Sequence, residues 1–391
     1  MGSDGGARQL ELSRGFRAGA FRFAVGAPTR ELVDLVEELF CDLPPTEPTS
    51  RDEDLTVFEL SPSPTAPNRY ELEGPVIGPP GALPLAATVA LLVTAVSRGS
   101  LDAEPGWLHL HAAGAVRDGR TAVLAAPRET GKTTTLATLV HRGWGFISDE
   151  AVAITADGDQ LHGFAKPLSI KSRGRGLLSH LEARFLPRGE VAPDAVLHAS
   201  LGPTGATAHP CAEPRLVCLL HRTGEAGTPA GQPWWRPMHP VDAVVALMGE
   251  TMDAGRFGPE AVVTLARLAT QSRCYEIGLG GPVDTAELIE QLFEQARPDP
   301  LPVEVMDDGT FVRPNVRSVL IGDRVVIHEQ PEGRILALDQ PGTQVWMKLG
   351  GWLPGLDIDL HGPVIAQFVQ QLHAFGLIDL PPSDSAPGVR S

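Results

Sequence analysis

The chain has 391 residues, a length that predicts two or three domains rather than one. Its formal net charge of −16 argues against sequence-independent nucleic-acid binding and against an anionic membrane surface as partner, because both need a basic face. None of the four cysteines lies in a C-x-x-C pair, and the N-terminus lacks the apolar core of a signal peptide, so we expect free thiols in a reducing cytoplasm.

The first hundred residues, 1–100, predict an α+β N-terminal part. Apolar residues at helical spacing follow Thr29, which is a suitable N-cap. The uncharged stretch that begins at residue 85 is shorter than the roughly 20 residues that cross a bilayer, so we expect a buried helix there. In chain order we predict a strand at 21–25, a helix at 29–40, a proline- and acid-rich loop at 44–54, strands at 55–60 and 69–72, and a helix from 85 to near 98.

A phosphate-binding P-loop is predicted at 126–133, within a domain expected to span 101–297. A strand at 107–116 leads through a tight turn into an apolar strand at 120–125, and helical spacing follows at 134–142. The segment APRETGKT between them matches G-x-x-x-x-G-K-[ST] except at its first position. We expect ATP to bind through the residues of this turn, which are Ala126, Pro127, Arg128, Glu129, Thr130, Gly131, Lys132, Thr133 and Thr134.

Three residues of this loop carry the interpretation. Lys132 is expected to lie along the β- and γ-phosphates, and the Thr133 hydroxyl is expected to reach Mg²⁺. Ala126 replaces a glycine where a positive φ is often needed, which predicts a penalty of about 1 kcal/mol. The alternative is an ordinary turn followed by a helix, with no bound nucleotide.

Candidate catalytic residues flank the P-loop in sequence. Asp149 and Glu150 interrupt a predicted strand at 145–154, where acids beside a P-loop can hold Mg²⁺ or take a proton from an attacking hydroxyl. The alternative is a solvated strand end. His109 and His111 alternate on the strand that should neighbour the P-loop strand. We expect His111 to bond Asp149 and tune its basicity, and His109 to be structural.

A basic cluster follows in this otherwise acidic chain. A mobile loop with a helical turn at 172–189 and the residues before it are predicted to form a flexible clamp on phosphate or acceptor, the alternative being a solvated surface. The cluster consists of Lys166, Lys171, Arg173 and Arg175. The other predicted elements are strands at 161–164, 168–171, 215–221 and 274–279, a loop at 203–210, and helices at 240–253, 259–271 and 284–295.

The last ninety residues predict a separate small module, 303–380. A linker at 296–302 is indicated by its proline content. The module is predicted to contain a three-stranded meander at 311–320, 324–328 and 334–338, then helices at 341–349 and 362–375, and a disordered tail at 381–391.

Together these residues resemble the kinase domain of HPr kinase/phosphorylase, and more closely the bacterial HPr-kinase-related proteins found with ribosomally made peptides. The resemblance covers about residues 20–297. It is carried by "HAA" at 111–113, "SDE" at 148–150 and "P-x-S-x-K" at 167–171. The chain departs from the family at Ala126 and in the bulky residues after it, and the later metal-holding glutamate of the HPr enzymes is not identified.

Residues 303–380 resemble PqqD, the leader-peptide recognition element of peptide-modifying systems. The likeness is carried by Arg313-Pro314, by the meander, and by the run LDQPGTQVW at 338–346, although the region between the two helices is shortened. In that family an extended leader peptide adds a strand to the sheet edge and rests on the last helix. A winged-helix DNA reader is the alternative, which the acidic balance disfavours.

The expected fold class is therefore α/β and α+β multidomain: an HPr-kinase-like P-loop domain with an N-terminal α+β part and a PqqD-like, winged-helix-type module. The resemblances imply a cytoplasmic, ATP- and Mg²⁺-dependent kinase for a serine or threonine of a ribosomally made precursor peptide. Lys132, Asp149 and His111 are the expected catalytic residues, and Thr133 and Glu150 the expected metal ligands. A nucleotide-gated peptide chaperone and a small-molecule kinase are the alternatives. The sequence leaves open whether the protein contacts other peptide-modifying enzymes and whether it forms homo-oligomers.

Overall fold

The computed structural model contains several sheets and helices, and the protein is a mixed α/β multidomain chain. The predicted tail at 381–391 and most of the acid-rich loop at 44–54 lie outside the described residues. The structure describes residues 10–46, 54–75, 77, 81–188, 191–222, 231–298, 300–330, 332–353, 355–360 and 362–380.

The elements alternate along the chain. The strands are β1 Glu11–Leu12, β2 Gly15–Ala18, β3 Phe21–Ala27, β4 Pro45–Thr46, β5 Leu55–Pro62, β6 Tyr70–Glu73, β7 Leu108–Leu110, β8 Ala112–Arg117, β9 Arg120–Ala125, β10 Gly145–Ser148, β11 Val152–Ile154, β12 Leu161–His162, β13 Leu168–Ile170, β14 Leu197–Ala199, β15 Cys211–Arg222, β16 Trp234–Pro237, β17 Arg273–Leu279, β18 Val303–Met306, β19 Val316–Ile321, β20 Arg324–Glu329 and β21 Arg334–Ala337. The α-helices are α1 Arg30–Leu39, α2 Leu85–Ala103, α3 Lys132–His141, α4 Ser172–Arg175, α5 Pro240–Met248, α6 Ala254–Phe257, α7 Glu260–Thr270, α8 Pro282–Gln295, α9 Gln340–Gly350 and α10 Pro363–Ala374. Two 3₁₀ helices cover Gly176–Arg184 and Gly202–Thr204.

The N-terminal sheet has the strand order β4-β2-β3-β5-β6, and β1 also pairs with β3. Helix α1 begins after Thr29, whose hydroxyl accepts a hydrogen bond from the Leu32 amide at 3.4 Å, so the predicted cap is confirmed. Aromatic rings whose centroids are 5.1 to 6.2 Å apart fill the core of this part. The rings belong to Phe16, Phe23, Phe40 and Phe58.

Helix α2 is the uncharged helix that the sequence predicts. By length and composition it could cross a membrane, and half of its most apolar window is buried within the protein. Gly99 allows it to approach β3, because a Cβ at this position would lie 2.6 Å from the Phe21 ring. Leu92 and Val96 are fully buried by this packing. The helix therefore contributes to the core of the N-terminal part.

The central sheet positions the P-loop. Its strand order is β10-β8-β9-β15-β12-β11-β7, and β17 followed by β16 continues it beside β15. Strands β9, β15 and β17 run parallel, and β8 lies antiparallel to β9, as expected for the strand before the P-loop. Their apolar sequences are explained by burial on both faces. The P-loop therefore leaves the sheet at the carboxyl ends of the parallel strands, where α/β sheets bind ligands.

Helices cover both faces of the central sheet. On one face Leu136 of α3 and Ile289 of α8 belong to the same apolar cluster as Leu124 of β9. On the other face α5 and α7 pack against the alternate β9 residues, among them Val123. Because side chains of a strand alternate between faces, β9 is anchored in two apolar layers at once.

The C-terminal sheet lies between two helical layers. Its strands follow the antiparallel order β18-β19-β20-β21. Val319 and Val326 belong to the apolar cluster of α5 and α7, whereas Ile327 packs with Trp346 of α9 on the other side. The Arg324 guanidinium adds two bonds to Asp242 of α5, at 2.7 and 2.8 Å. The sheet is therefore docked on the helices of the central part.

Several predicted elements differ from the structure. The strand at 107–116 is broken at His111, because β7 pairs with β11 and β8 pairs with β9 and β10. The segment 172–188 contains more helix than the single turn expected, and Leu178 and Leu181 anchor it in the core. Within the described residues the meander has a further strand, β18, which begins where the predicted linker ends.

Candidate functional site

The P-loop connects β9 to α3 and is strained at a different position from the one predicted. Among the described non-glycine residues with positive φ, Glu129 has φ 66°, and Ala126 is not one of them, so the penalty expected at Ala126 does not arise. Gly131 has φ 139°, and a Cβ there would lie 2.8 Å from Leu279. The glycine that the motif retains is therefore the one that this backbone requires.

Lys132 is the first residue of α3 and its side chain folds back along the loop. Its ammonium donates to the carbonyl oxygens of Ala126 and Pro127, the latter at 3.2 Å. Burial lowers the pKa of Lys132 to about 8, against the opposing effect of Glu250 and Asp149. The structure thus holds a buried ammonium at a helix N-terminus, close to several carboxylates.

Asp149 and Glu150 follow β10 and share a cation, Lys166. The Lys166 ammonium lies 2.7 Å from Asp149 Oδ1 and 3.2 Å from Glu150 Oε2. The side chains of Lys166 and Asp149 are 0% and 2% exposed, whereas that of Glu150 is 42% exposed. The Ser169 amide donates to Asp149 Oδ2 at 3.2 Å. Asp149 is therefore enclosed, and Glu150 is the acid that solvent reaches.

The ionisation of this cluster follows from burial and pairing. Burial opposes the charged form of Lys166, but the two carboxylates outweigh it and raise the pKa of Lys166. The same ammonium lowers the pKa of Glu150. Burial raises the pKa of Asp149, while Lys166 and the Ser169 amide act in the opposite direction. The cluster therefore contains a charged lysine and an ionised Glu150 at neutral pH.

His111 lies at the break between β7 and β8 and faces an acid that the sequence did not indicate. Its Nδ1 is 3.2 Å from Glu250 Oε2, and its amide donates to the Glu250 carbonyl at 2.8 Å. The expected bond from His111 to Asp149 is therefore wrong. Burial, followed by the charge of Lys132, lowers the pKa of His111. The imidazole is therefore neutral at pH 7, where it can accept a proton from a ligand.

His109 has the structural role expected for it. Its Nδ1 is 2.8 Å from Asp253 Oδ2, and its amide donates to Asp253 Oδ1 at 3.1 Å. The side chain of His109 is buried, and β7 lies away from the P-loop strand in the central sheet. The contacts of His109 thus tie β7 to the segment after α5.

The predicted basic clamp is divided by the structure. Lys166 is buried with the acid pair and does not lie on the surface. Lys171 pairs with Glu129 of the P-loop at 2.9 Å, both side chains being exposed. Arg175 donates to the Ala195 carbonyl. The side chain of Arg173 lies outside the described part of the chain. Among the cations of this cluster whose side chains the structure describes, Lys171 is the one that contacts the P-loop.

The residues present are compatible with Mg²⁺ only if phosphate oxygens complete its ligand set. In the described ranges no group of three or more His, Cys, Asp or Glu side chains is arranged to hold a metal. Mg²⁺ commonly uses one or two carboxylates, waters and substrate phosphates rather than a complete protein cage. Thr133 in the first turn of α3 and the exposed Glu150 fit this arrangement.

One cavity in the described part of the chain lies away from the P-loop. It has a volume of about 400 Å³ and is lined by His141, His180 and His209. His141 is the last residue of α3, whereas the P-loop joins its first residue. This cavity is therefore at the far end of α3 from the candidate site, and its volume does not bear on the chemistry at the P-loop.

Comparisons with known proteins add little. No family model and no curated protein matches the chain. One solved structure that it resembles is the Hpr(Ser) kinase/phosphatase from Coxiella burnetii, at 14% identity and a TM-score of 0.25, covering 48% of this chain and 94% of that one. This is a weak structural similarity, and at such a TM-score it carries no argument about function.

Proposed function

We propose that this protein is an ATP-dependent kinase that transfers the γ-phosphoryl group to a serine or threonine hydroxyl of a ribosomally made precursor peptide. The observation that supports this best is the placement of Lys132. It begins α3 at the carboxyl end of the P-loop strand, and the charges of Asp149, Glu150 and Glu250 all act on its ammonium. Phosphate-binding cations beside carboxylates are what phosphoryl transfer requires.

The roles follow from position. Lys132 and the amides of the first turn of α3 bind the phosphates, since the N-terminus of a helix attracts anions. Thr133 and Glu150 would hold Mg²⁺, which when bound neutralises charge on the phosphate oxygens. Asp149 orients or deprotonates the acceptor hydroxyl, and Ser169 and Lys166 hold its carboxylate in place. His111 and Glu250 form a second acid–base pair at the same edge of the sheet.

A docking place for the peptide is suggested on the C-terminal sheet. Strand β21 is at one edge of this sheet, with β20 on its inner side. The end of α10 adjoins it, because Arg334 lies 3.3 Å from the position of a Cβ on Gly376. Val364, in the first turn of α10, and Phe375, just beyond its last residue, expose apolar surface at the two ends of this helix, and Val364 is 80% exposed. An extended leader could add to this edge and rest on α10, which would raise the local concentration of its acceptor.

Phosphate transfer can be tested directly. The full chain is incubated with γ-labelled ATP, Mg²⁺ and a precursor peptide, and label on the peptide is measured. The alternative function, a nucleotide-gated peptide chaperone, is favoured by one observation, the enclosure of Asp149 by Lys166. A chaperone would bind both ligands and label nothing, and that result would reject the kinase.

The docking place is tested by Val364→Glu and Phe375→Glu, with Val283→Glu on α8 as a control whose exposure matches that of Phe375. The α10 variants should raise the KM for peptide and leave ATP affinity unchanged, whereas the control should change neither. If the α10 variants behave like the control, the peptide does not use this edge, and a small-molecule kinase becomes the better proposal. Cytoplasmic location and association with other enzymes remain part of the same proposal.

A further inference from the structure

The P-loop strand has different chemistry on its two sides. The acids follow β10, which lies beyond β8 on one side of β9. On the other side β15 and then β17 run parallel to β9. Leu219 is the β15 residue opposite Ala125, so the last residues of β15 extend beyond the point where the P-loop begins. This second side carries none of the roles described above.

The ends of β15 and β17 touch the P-loop itself. The Arg222 guanidinium donates to the Glu129 carbonyl. Leu279 reaches Gly131, whose Cβ position lies 2.8 Å from Leu279 Cδ1. Arg222 and Leu279 are paired across the two strands, so both contacts come from one row of the sheet. A molecule that is bound through its phosphates at the P-loop, and whose remainder points away from the acids, would therefore extend over the ends of β15 and β17.

The adjacent row carries two aromatic side chains, which project from the other face of the sheet than Arg222 and Leu279 because side chains of a strand alternate between faces. His221 and Trp234 are both paired with Gly278, which lies between them. The His221 and Trp234 rings are nearly parallel, with planes 9° apart and centroids 6.3 Å apart. The indole lies against the glycine backbone, since a Cβ on Gly278 would be 1.9 Å from Trp234 Nε1. Gly278 is thus needed for the indole to lie there.

Trp234 also holds an unused hydrogen-bond donor. Its Nε1 is buried and has no hydrogen-bond partner among the described residues. A buried donor without a partner is uncommon in a folded protein. His221 is exposed, so its ring presents a free face beside this donor.

We propose that His221 and Trp234 form the platform on which the base of the bound nucleotide stacks. Every base has a π-face that stacks on aromatic side chains, and this stacking tolerates different bases. The proposal rests on the proposed binding of a nucleotide at the P-loop. It adds that the nucleoside lies over β15 and β17, on the side of β9 opposite the acids.

The test compares ATP with inorganic tripolyphosphate, which has the phosphates and lacks the base. Both are titrated calorimetrically against the full chain with Mg²⁺. Trp234→Leu should lower the affinity for ATP about tenfold, because base stacking on an aromatic residue is worth about that factor or more. It should leave the affinity for tripolyphosphate unchanged. Trp235→Leu is the matched control on the same strand, since Trp235 instead contacts Tyr275. It should change neither affinity.

The outcomes distinguish the base platform from the phosphate site. Equal weakening of ATP and tripolyphosphate by Trp234→Leu, or no weakening of ATP, overturns the platform. Tripolyphosphate binding as tight as ATP in the unmodified protein overturns the platform and leaves the phosphate site standing, whereas binding of neither overturns both. If Trp234→Leu does not fold, the exposed His221→Leu carries the same comparison, and Trp234→Phe should retain most of the affinity for ATP.

Discussion

Replacing Lys166 by methionine should destabilise the protein strongly, although methionine fills nearly the same volume. The lysine is fully buried and lies 2.7 Å from Asp149, which is itself 2% exposed. Removing one partner of a buried ion pair leaves an uncompensated charge and costs about 3 to 5 kcal/mol. The assay is denaturant unfolding of the full chain followed by fluorescence, with equal slopes required before midpoints are compared.

The matched control is Lys171→Met. Lys171 also pairs with an acid at 2.9 Å, but both side chains of that pair are exposed to solvent. Exposed ion pairs contribute about 0 to 1 kcal/mol, so this variant should unfold close to the unmodified protein. The double variant Lys166→Met/Asp149→Leu should recover much of the lost stability, because it removes the buried charge together with its partner.

The sign of the pH dependence provides a second check. Burial raises the pKa of Asp149 and Lys166 opposes this effect, so removing Lys166 raises the pKa further above its unfolded value. The native variant then holds a proton that the unfolded chain releases above about pH 4. Its deficit in stability should therefore be small in acid and grow as the pH rises towards neutrality. Equal, small losses for Lys166→Met and Lys171→Met at every pH would refute the reasoning.

Three further predictions concern single residues. Asp149→Asn should lower phosphotransfer at least about 100-fold in single-turnover assays and change ATP affinity little, and near-normal turnover would reject Asp149 as the base. His198 is buried, and burial lowers its pKa to about 3, so stability should fall as the pH drops below about 6.5, and His198→Leu should flatten that decline in urea titrations. Gly131→Ala should abolish ATP binding in calorimetry, because the new Cβ would clash with Leu279 and the residue already has a positive φ. The control is Gly143→Ala, where φ is also positive but the space around the Cβ is open, and this variant should bind ATP normally.

The sequence predicted those parts of the site whose signals are local. The strand β9, the turn at Gly131 and the start of α3 follow from apolar spacing, a glycine and a Lys-Thr pair within a dozen residues. The acids at 149 and 150 were also found at a strand end, as expected. These features depend on residues that are close along the chain, so the sequence pattern predicts them.

The parts that were missed depend on contacts between distant residues. Glu250 lies 139 positions after its partner His111, and a single acid after a helix gives no sequence signal. The sequence groups Lys166 with surface cations because it shortly precedes Lys171 and Arg173, a pattern that indicates a basic loop. In the structure Lys166 is instead buried and paired with two carboxylates. The edge strand β16, which carries Trp234, is short and follows a glycine- and proline-rich stretch, so its composition indicates a loop.

Helix α5 connects the two ends of the proposed mechanism. Asp242 in its first turn receives both bonds from Arg324 of the C-terminal sheet, and Glu250, just beyond its last residue, contacts His111 near the P-loop. Docking of the sheet against α5 and α7 buries apolar side chains, so the sheet is held at one position rather than swinging on a linker. A leader bound at β21 would then start at a fixed distance from Lys132. The effective concentration of the acceptor would then depend on the length of peptide between leader and acceptor.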